Sequence, residues 1–166
     1  QLLLLDQMKN LKFQNILLIS DNTKHYLLLN ELFKEIEGSE HQLFRSKNIQ
    51  EIPQNKFDTI FFALENIKDF NPEVVGEFHN LLGGIPIIVL TSNADLTGID
   101  DILEQGVQDV LIIEHLDKFQ LYKTLSIAYR NKNFKKNSSK KKETSNDPLN
   151  TSPHKLYNLL FNESTL

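Results

Sequence analysis

Few side chains in this sequence combine a reactive type with a position at the end of an apolar run. Ser20 and Asp21 end the run "NILLIS" at 15–20, and Thr91 lies at the end of the run that begins at residue 85. Carboxylate and hydroxyl oxygens suit hard cations such as Mg²⁺. Two further runs carry Ala63 as the second-last residue and Ile113 as the last residue, and neither side chain has a polar atom. The chemistry available at these run ends is therefore limited.

Composition and spacing exclude other kinds of site. The 166 residues include no cysteine, so disulfides, thiolate catalysis and cysteine-ligated zinc are ruled out. No glycine pattern typical of phosphate or dinucleotide binding occurs. No two histidines have the spacing of metal ligands; they are His25, His41, His79, His115 and His154. We therefore expect no cofactor and no metal site, with Asp21 as the one residual candidate for a metal ligand.

The elements that would position these residues alternate along the chain. Short apolar runs bounded by turn residues are typical of buried strands, and four occur: "NILLIS", "DTIFFAL", "IPIIVLTS" and "QDVLII". A weaker edge strand is predicted at "HQLFRS". Apolar residues at helical spacing predict helices between the strands, although Pro53 limits the second helix to a turn or two.

This alternation predicts an α/β fold. The expected architecture is a doubly wound, five-stranded parallel sheet of order 2-1-3-4-5 in a flavodoxin-like three-layer sandwich. Functional sites in such sheets form beyond the carboxyl ends of the strands. Asp21, Ala63, Thr91 and Ile113 are therefore expected around one crevice.

The overall composition indicates one globular domain with a tail. Hydrophobic residues make up 40% and charged residues 24%, as in ordinary soluble domains. A net charge of −4 and an isoelectric point of about 5.7 give no general attraction to nucleic acid. The opening "QLLLLDQ" is too short for a membrane span or a signal peptide. We expect a cytoplasmic protein without membrane insertion or nucleic-acid binding.

The two ends of the chain differ from its centre. Residues 1–13 are interpreted as an N-terminal extension, in which Met8 is either the natural start or part of a helical turn cut from something longer. The polar, lysine-rich stretch 135–153 predicts a flexible linker. Six lysines at 132–142 could contact an anionic membrane or nucleic acid, but a solvated linker is the simpler interpretation. Helical spacing returns at 154–166.

The central region, about residues 14–134, resembles the CheY-like receiver domain of two-component response regulators. The stretch "IPIIVLTSNADLTGIDDILEQGVQDVLI" is similar to the family's fourth strand, following helix and fifth strand. "ILLISDN" is similar to its first strand with the acidic end, and "NKFDTIFFAL" to its third strand. Counting from Phe57 and Asp58, the family's phosphoacceptor aspartate falls on Ala63.

The resemblance implies a phosphorylation site that this chain has largely lost. An active receiver uses a carboxylate pair to hold Mg²⁺, an aspartate as acceptor, a hydroxyl, and a lysine that neutralises charge on the transferring group. The corresponding residues here are Ser20 and Asp21, Ala63, Thr91 and Ile113. Losing the acceptor and the lysine together removes both the nucleophile and its charge partner. The resemblance therefore implies a degenerate pseudo-receiver rather than an enzyme.

Two functions are expected on this basis. The first is a phosphorelay-type signalling module that lacks the phosphoacceptor and works through protein–protein interaction. It would bind another signalling protein or relay a signal to a downstream sensor or output domain. The alternative is an atypical receiver that a histidine kinase still phosphorylates, with Glu65 as a weak substitute acceptor.

The resemblance also suggests an interaction surface and a larger context. Receivers often pair through the helix that precedes the fifth strand, the strand itself and the last helix, so a homodimer is possible here. The candidate surface residues are Val110, Ile112, Glu114, His115 and Tyr122. The final "KLYNLLFNESTL" resembles the opening of a PAS sensory domain, and an isolated amphipathic helix is the alternative. On the PAS interpretation, the chain is the N-terminal part of a longer sensor protein.

Overall fold

Five parallel strands form the centre of the molecule. The computed structural model describes residues 14–38 and 40–142, with side chains as far as residue 132. The strands are β1 (Asn15–Ile19), β2 (Gln42–Ser46), β3 (Thr59–Leu64), β4 (Ile87–Thr91) and β5 (Asp109–Ile112). Their order is β2-β1-β3-β4-β5 and every pairing is parallel. The predicted fold class and strand order are confirmed.

Four α-helices connect and cover the strands. They are α1 (Thr23–Glu35), α2 (Glu73–Leu82), α3 (Leu96–Glu104) and α4 (Lys118–Lys142). The connection between β2 and β3 contains only the 3₁₀ turn Ile49–Glu51, as expected from the nearby proline. Two more 3₁₀ turns, Ile67–Asp69 and Ile113–His115, follow β3 and β5.

Alternate residues of each strand are buried on opposite faces of the sheet. In β1, Leu17 and Ile19 join a core cluster beneath α2 and α3, here called the α2/α3 cluster. Ile16 and Leu18 join a second cluster beneath α1 and α4, here called the α1/α4 cluster. Because successive side chains of a strand point to opposite faces, burial on both faces requires the continuous apolar runs seen in the sequence.

Local sequence determines where the helices begin and end. The Asn22 side chain accepts a hydrogen bond from the Lys24 backbone N–H and caps α1. At α3, Asp95 caps in the same way by accepting from Gly98 N at 2.6 Å. Helix α2 ends at Gly83, whose φ of 78° is accessible mainly to glycine. Helix α1 ends at Glu35, three residues before Gly38, whose φ is also positive, at 74°.

Helix α4 is longer than expected. Its backbone remains helical through Lys142, whereas composition predicted a flexible linker from residue 135 onward. No glycine or proline occurs between Lys118 and Lys142, and lysine is a good helix former, so nothing in the local sequence ends the helix. The compact unit that contains the sheet ends at Lys132, within this helix.

Several expectations concern residues that the structure does not describe. The N-terminal extension before residue 14, the linker beyond residue 142 and the segment 154–166 lie outside the described ranges. Within those ranges, no helix has the length and apolar character needed to cross a membrane.

A poorly solvated histidine lies where β2 begins. The His41 ring packs edge-on against Phe33 of α1, with 5.1 Å between ring centroids. Its Nδ1 atom is buried and makes no hydrogen bond. Burial lowers the pKa of His41 from 6.5 to about 4, although the Asp58 carboxylate acts in the opposite direction. The folded protein therefore keeps this ring neutral at pH values at which an unfolded chain would protonate it.

We predict that His41 makes the folded state less stable in mild acid. Below an unfolded pKa of about 6.5, the unfolded chain binds a proton that the folded chain does not bind until about pH 4. The free energy of unfolding should therefore fall as the pH drops through this window, by at most about 3 kcal/mol. Urea denaturation at pH 7.5 and 4.5 would measure the difference. His41→Phe retains an aromatic ring and should show a smaller difference; an unchanged difference would contradict the prediction.

Candidate functional site

The carboxyl ends of the strands bring the expected site residues to one edge of the sheet. β1 leads into Ser20 and Asp21, β3 carries Ala63, β4 ends at Thr91, and Ile113 follows β5. An open groove of about 470 Å³ is lined by Ser20, Asp21 and Ala63. A second groove of about 730 Å³ is lined in part by Ile113. The two grooves share Glu65 and Asp69, so the expected residues do not surround one crevice but are divided between two adjoining grooves and, for Thr91, the buried interior.

Ala63 occupies the middle of this edge and contributes only a methyl group. It is paired with Leu90 of β4, which fixes its place in the register. Its half-buried side chain packs against the α1/α4 cluster. No polar atom of this side chain reaches the groove, so position 63 cannot act as a nucleophile or a ligand.

Ile113 has a similar packing role on the other side of the edge. It starts the 3₁₀ turn after β5 and also packs, half-buried, against the α1/α4 cluster. The groove that it lines also contains Lys24, His25 and Glu65. An apolar side chain at this position makes the surroundings unfavourable for a doubly charged anion.

The Ser20 hydroxyl is already engaged in a local network. Ser20 is 4% exposed, and its Oγ atom lies 2.7 Å from His25 Nδ1 on α1. The same oxygen accepts a hydrogen bond from Asn22 N at 3.1 Å and donates to Asn22 O at 3.3 Å. The Ser20 side chain therefore joins the end of β1 to the start of α1.

The electrostatic setting of His25 follows from its position between the grooves and the core. Burial lowers the pKa of the His25 ring, while the nearby carboxylates of Asp21 and Glu65 act in the opposite direction. With a lowered pKa, the ring is neutral at neutral pH and provides no fixed positive charge. The groove lined by Ile113 therefore gains no fixed cation from His25.

Thr91 keeps its hydroxyl but uses it within the backbone turn after β4. The residue is fully buried. Its Oγ1 atom donates to Asn93 O at 3.3 Å and accepts from Asn93 N at 3.4 Å. Thr91 does not line either groove, so its hydroxyl stabilises the turn and is not presented to a ligand.

Asp21 is the one exposed carboxylate among the expected site residues. No group of three or more histidine, aspartate or glutamate side chains arranged to hold a metal occurs in the described part of the chain. Glu65 and Asp69 line the same groove as Asp21, but these carboxylates are not arranged as such a group. A Mg²⁺ site normally combines carboxylates with further oxygen ligands and waters in an octahedral arrangement, and this edge offers little of that set.

Sequence reasoning missed several residues that line the grooves. Asp69 contributes to both grooves, as does Glu65, which had been considered only as a substitute acceptor. Lys47 lines the Ala63 groove, and Lys24 lines the Ile113 groove. All four follow strand ends or start a helix, so the rule that sites form at carboxyl ends could have found them.

The five residues expected on an interaction surface occupy β5, the following turn and α4. Val110 is half-buried and packs against the α2/α3 cluster. Ile112, two residues further along β5, is also half-buried. Glu114 and His115 are exposed in the 3₁₀ turn. Tyr122 of α4 is half-buried. They lie on consecutive elements and none of them is fully buried; their role in an interaction stays a prediction.

Solved receiver domains have the same fold as this chain. A two-component response regulator from Clostridium difficile is 23% identical, with a TM-score of 0.56, over 72% of this chain and 98% of that one. A response regulator from Thermotoga maritima is 14% identical, with a TM-score of 0.57, over 70% and 98%. The receiver domain of a sensor histidine kinase from Pseudomonas aeruginosa PAO1, solved with magnesium in its active-site cleft, is 18% identical, with a TM-score of 0.52, over 69% and 96%.

These similarities concern the fold. The described architecture is that of CheY-like receivers, as the sequence resemblance predicted. No protein-family model matches the sequence. No curated protein matches it either.

We predict that the buried Ser20 hydroxyl contributes to stability through its local network. Ser20→Ala would leave the Asn22 N–H and the His25 ring nitrogen without this partner. Losing such buried hydrogen bonds costs about 1–3 kcal/mol. Ser92→Ala is the matched control, because Ser92 lies at the same edge but is exposed and donates only to Glu65 O. Urea denaturation would compare the two variants, and equal losses would contradict the assigned role of Ser20.

Proposed function

We propose that this chain is a signalling module with a receiver fold that no longer accepts a phosphoryl group and that acts through protein–protein contacts. One observation supports this most directly. At the carboxyl end of β3, the register places Ala63, whose methyl group packs into the core. The module would bind another signalling protein or pass a signal to a downstream domain through α4. The proposal assigns it no catalytic activity.

The electrostatics of the edge support the proposal. Phosphoryl transfer depends on metal ions and cationic side chains that neutralise developing negative charge. Here Ile113 contributes an apolar surface, and Ser20 leaves Asp21 without a carboxylate beside it in the sequence. The hydroxyl groups of Ser20, Thr91 and Ser92 are engaged with the backbone or with His25. Nucleophile, charge partner and metal ligands are all weakened at the same place.

A second candidate function has one observation in its favour. Asp21, Glu65 and Asp69 line the Ala63 groove together with Lys47. An atypical receiver under the control of a histidine kinase could use one of these carboxylates as acceptor and the lysine as its charge partner. The two functions differ in a single measurable property, which is covalent phosphorylation.

We predict that the chain forms no specific phosphoryl adduct. The protein would be incubated with acetyl phosphate and Mg²⁺, and separately with beryllofluoride and Mg²⁺, and then examined by intact mass and amide spectra. Expected results are an unchanged mass and no Mg²⁺-dependent shifts around Asp21 and Thr91. The variant Ser20→Asp/Ala63→Asp/Ile113→Lys, which restores the family's side chains, is the matched control and should gain an adduct. A single adduct on the unsubstituted chain would favour the atypical receiver.

The surface formed by α3, β5 and α4 has features of a binding face. Four of the six large apolar side chains exposed in the described part of the chain belong to α3 and α4; they are Leu96, Leu103, Phe119 and Ile127. Phe119 is 73% exposed. Aromatic residues such as Phe119 are enriched at protein–protein interfaces.

Charge on the two helices is complementary. Helix α3 carries acidic residues and no basic ones, whereas the described part of α4, residues 118–132, carries basic residues and no acidic ones. A two-fold pairing of identical surfaces would place α3 of one protomer near α4 of its partner, and opposite charges would then meet. We therefore propose a homodimer through this surface, with another signalling protein as the alternative partner.

We predict that Phe119 contributes to self-association. Replacing this exposed ring by serine removes apolar contact area, and interface aromatic residues often contribute 2 kcal/mol or more, roughly a thirty-fold change in dissociation constant. Analytical ultracentrifugation over a concentration series would measure it. Leu27→Ser on α1 is the matched control, because Leu27 is also exposed, at 59%. If both variants and the unsubstituted chain are monomers, the surface serves a different partner.

A further inference from the structure

Helix α4 is held to the sheet by apolar packing over only part of its described length. Leu121, Leu125 and Ala128 are at most 1% exposed, and the first two belong to the α1/α4 cluster. Thr124, between them, donates a hydrogen bond to Asp109 of β5 at 3.1 Å. After Ala128 no side chain of the described helix is buried. The core therefore stops anchoring α4 about one turn before the compact unit ends.

The last turn of α4 within the compact unit, residues 129–132, is held by polar contacts instead. Asn131 Nδ2 donates to Gln108 Oε1 at 3.2 Å, and Gln108 immediately precedes β5. Lys132 Nζ lies 3.3 Å from Asp58 Oδ1, next to the start of β3. The compact unit ends at the same lysine. Both contacts therefore lie where the helix leaves the sheet.

Asp58 connects this turn to the central strands. Its second carboxylate oxygen accepts a hydrogen bond from Asn15 N at 2.9 Å, and its own backbone N–H donates to Asn15 O at 2.8 Å. Each carboxylate oxygen thus has a separate partner: one holds β1 and the other holds α4. A change at Lys132 can therefore occur while the strand contact stays in place.

We propose that Asp58 and Lys132, supported by Gln108 and Asn131, form a releasable latch that determines whether the last turn of the unit, residues 129–132, stays on the sheet. The functional meaning of the latch rests on the proposed relay through α4. Release would leave the buried residues through Ala128 in place and free the following turn. An anionic group on a partner could release it by competing for Lys132.

The exposure of the pair explains why such a contact can open. The side chains of Lys132 and Asp58 are 21% and 39% exposed, so water and salt reach them. Ion pairs of this kind contribute modestly to stability and weaken as the ionic strength rises. A contact of this strength can be in balance with a competing partner, whereas the apolar packing that precedes it cannot open without loss of the core.

Hydrogen–deuterium exchange of the full chain, followed by mass spectrometry, tests the latch. Lys132→Met removes the charge and keeps much of the aliphatic stem, while Asp58→Asn keeps an acceptor for Asn15 N. Each should speed the exchange of peptides covering 129–132 by about two- to five-fold, with little change at 121–128. High salt should also speed the exchange of peptides covering 129–132 in the unsubstituted chain, and it should have a much smaller effect on exchange in the variants. Exchange at 129–132 in the double variant should be only slightly faster than in either single variant, because both substitutions remove the same contact.

Lys34→Met is the matched control. Lys34 Nζ lies 3.3 Å from Glu31 Oε1, the same separation as in the latch, but the two side chains are 65% and 71% exposed and both belong to α1. This variant should leave 129–132 unchanged. Unchanged exchange in Lys132→Met, or a uniform increase across the whole domain, would overturn the proposal. Since no phosphoryl donor is involved, these outcomes are independent of the adduct experiment.

Discussion

The parallel register of β1, β3 and β4 is the constraint on which the rest of the structure depends. These three strands are covered on both faces, and residues such as Leu17, Phe61 and Val89 have no exposed surface. A slip of one residue would move every side chain of the strand to the opposite face. Side chains that pack against α2 and α3 would then face α1 and α4, and the reverse. With fully buried aliphatic side chains contributing about 1.5–3 kcal/mol each, such a slip is strongly disfavoured. The position of Ala63 opposite Leu90 is therefore fixed by the core.

Because the core fixes the register, the fold does not depend on which chemical groups lie at the strand ends. Residues at the strand ends can change without disturbing the register, provided that each replacement satisfies its own packing and hydrogen bonds. Ala63 and Ile113 do so by joining the α1/α4 cluster, and Ser20 does so through His25 and Asn22. The residues at this edge are thus stabilised by packing and local hydrogen bonds, and leaving a buried polar group there without a partner would be costly.

Periodicity and strand-end rules could predict the sheet, its order and the residues at its carboxyl edge. They could do so because strands buried on both faces appear in the sequence as continuous apolar runs. They could not predict that Ser20 would contact His25, since this depends on how α1 packs after its Asn22 cap. Composition also misjudged residues 135–142, where lysine-rich sequence without glycine or proline continues α4 as a helix. A polar composition shows that a segment cannot form a hydrophobic core of its own. Whether its backbone is helical depends instead on the helix propensity of its residues.

The two ends of the sheet are therefore stabilised in different ways. At the carboxyl edge, Ala63 and Ile113 pack against the α1/α4 cluster and Ser20 is hydrogen-bonded locally, and the Ala63 side chain offers a ligand no polar atom. At the amino edge, Asp58 joins β1, β3 and α4 through ionic and hydrogen-bonded contacts that remain partly exposed. On the proposed function, the module would be switched by binding. The contact that binding could shift most readily is one held by accessible charge, and the pair of Lys132 on α4 and Asp58 is such a contact.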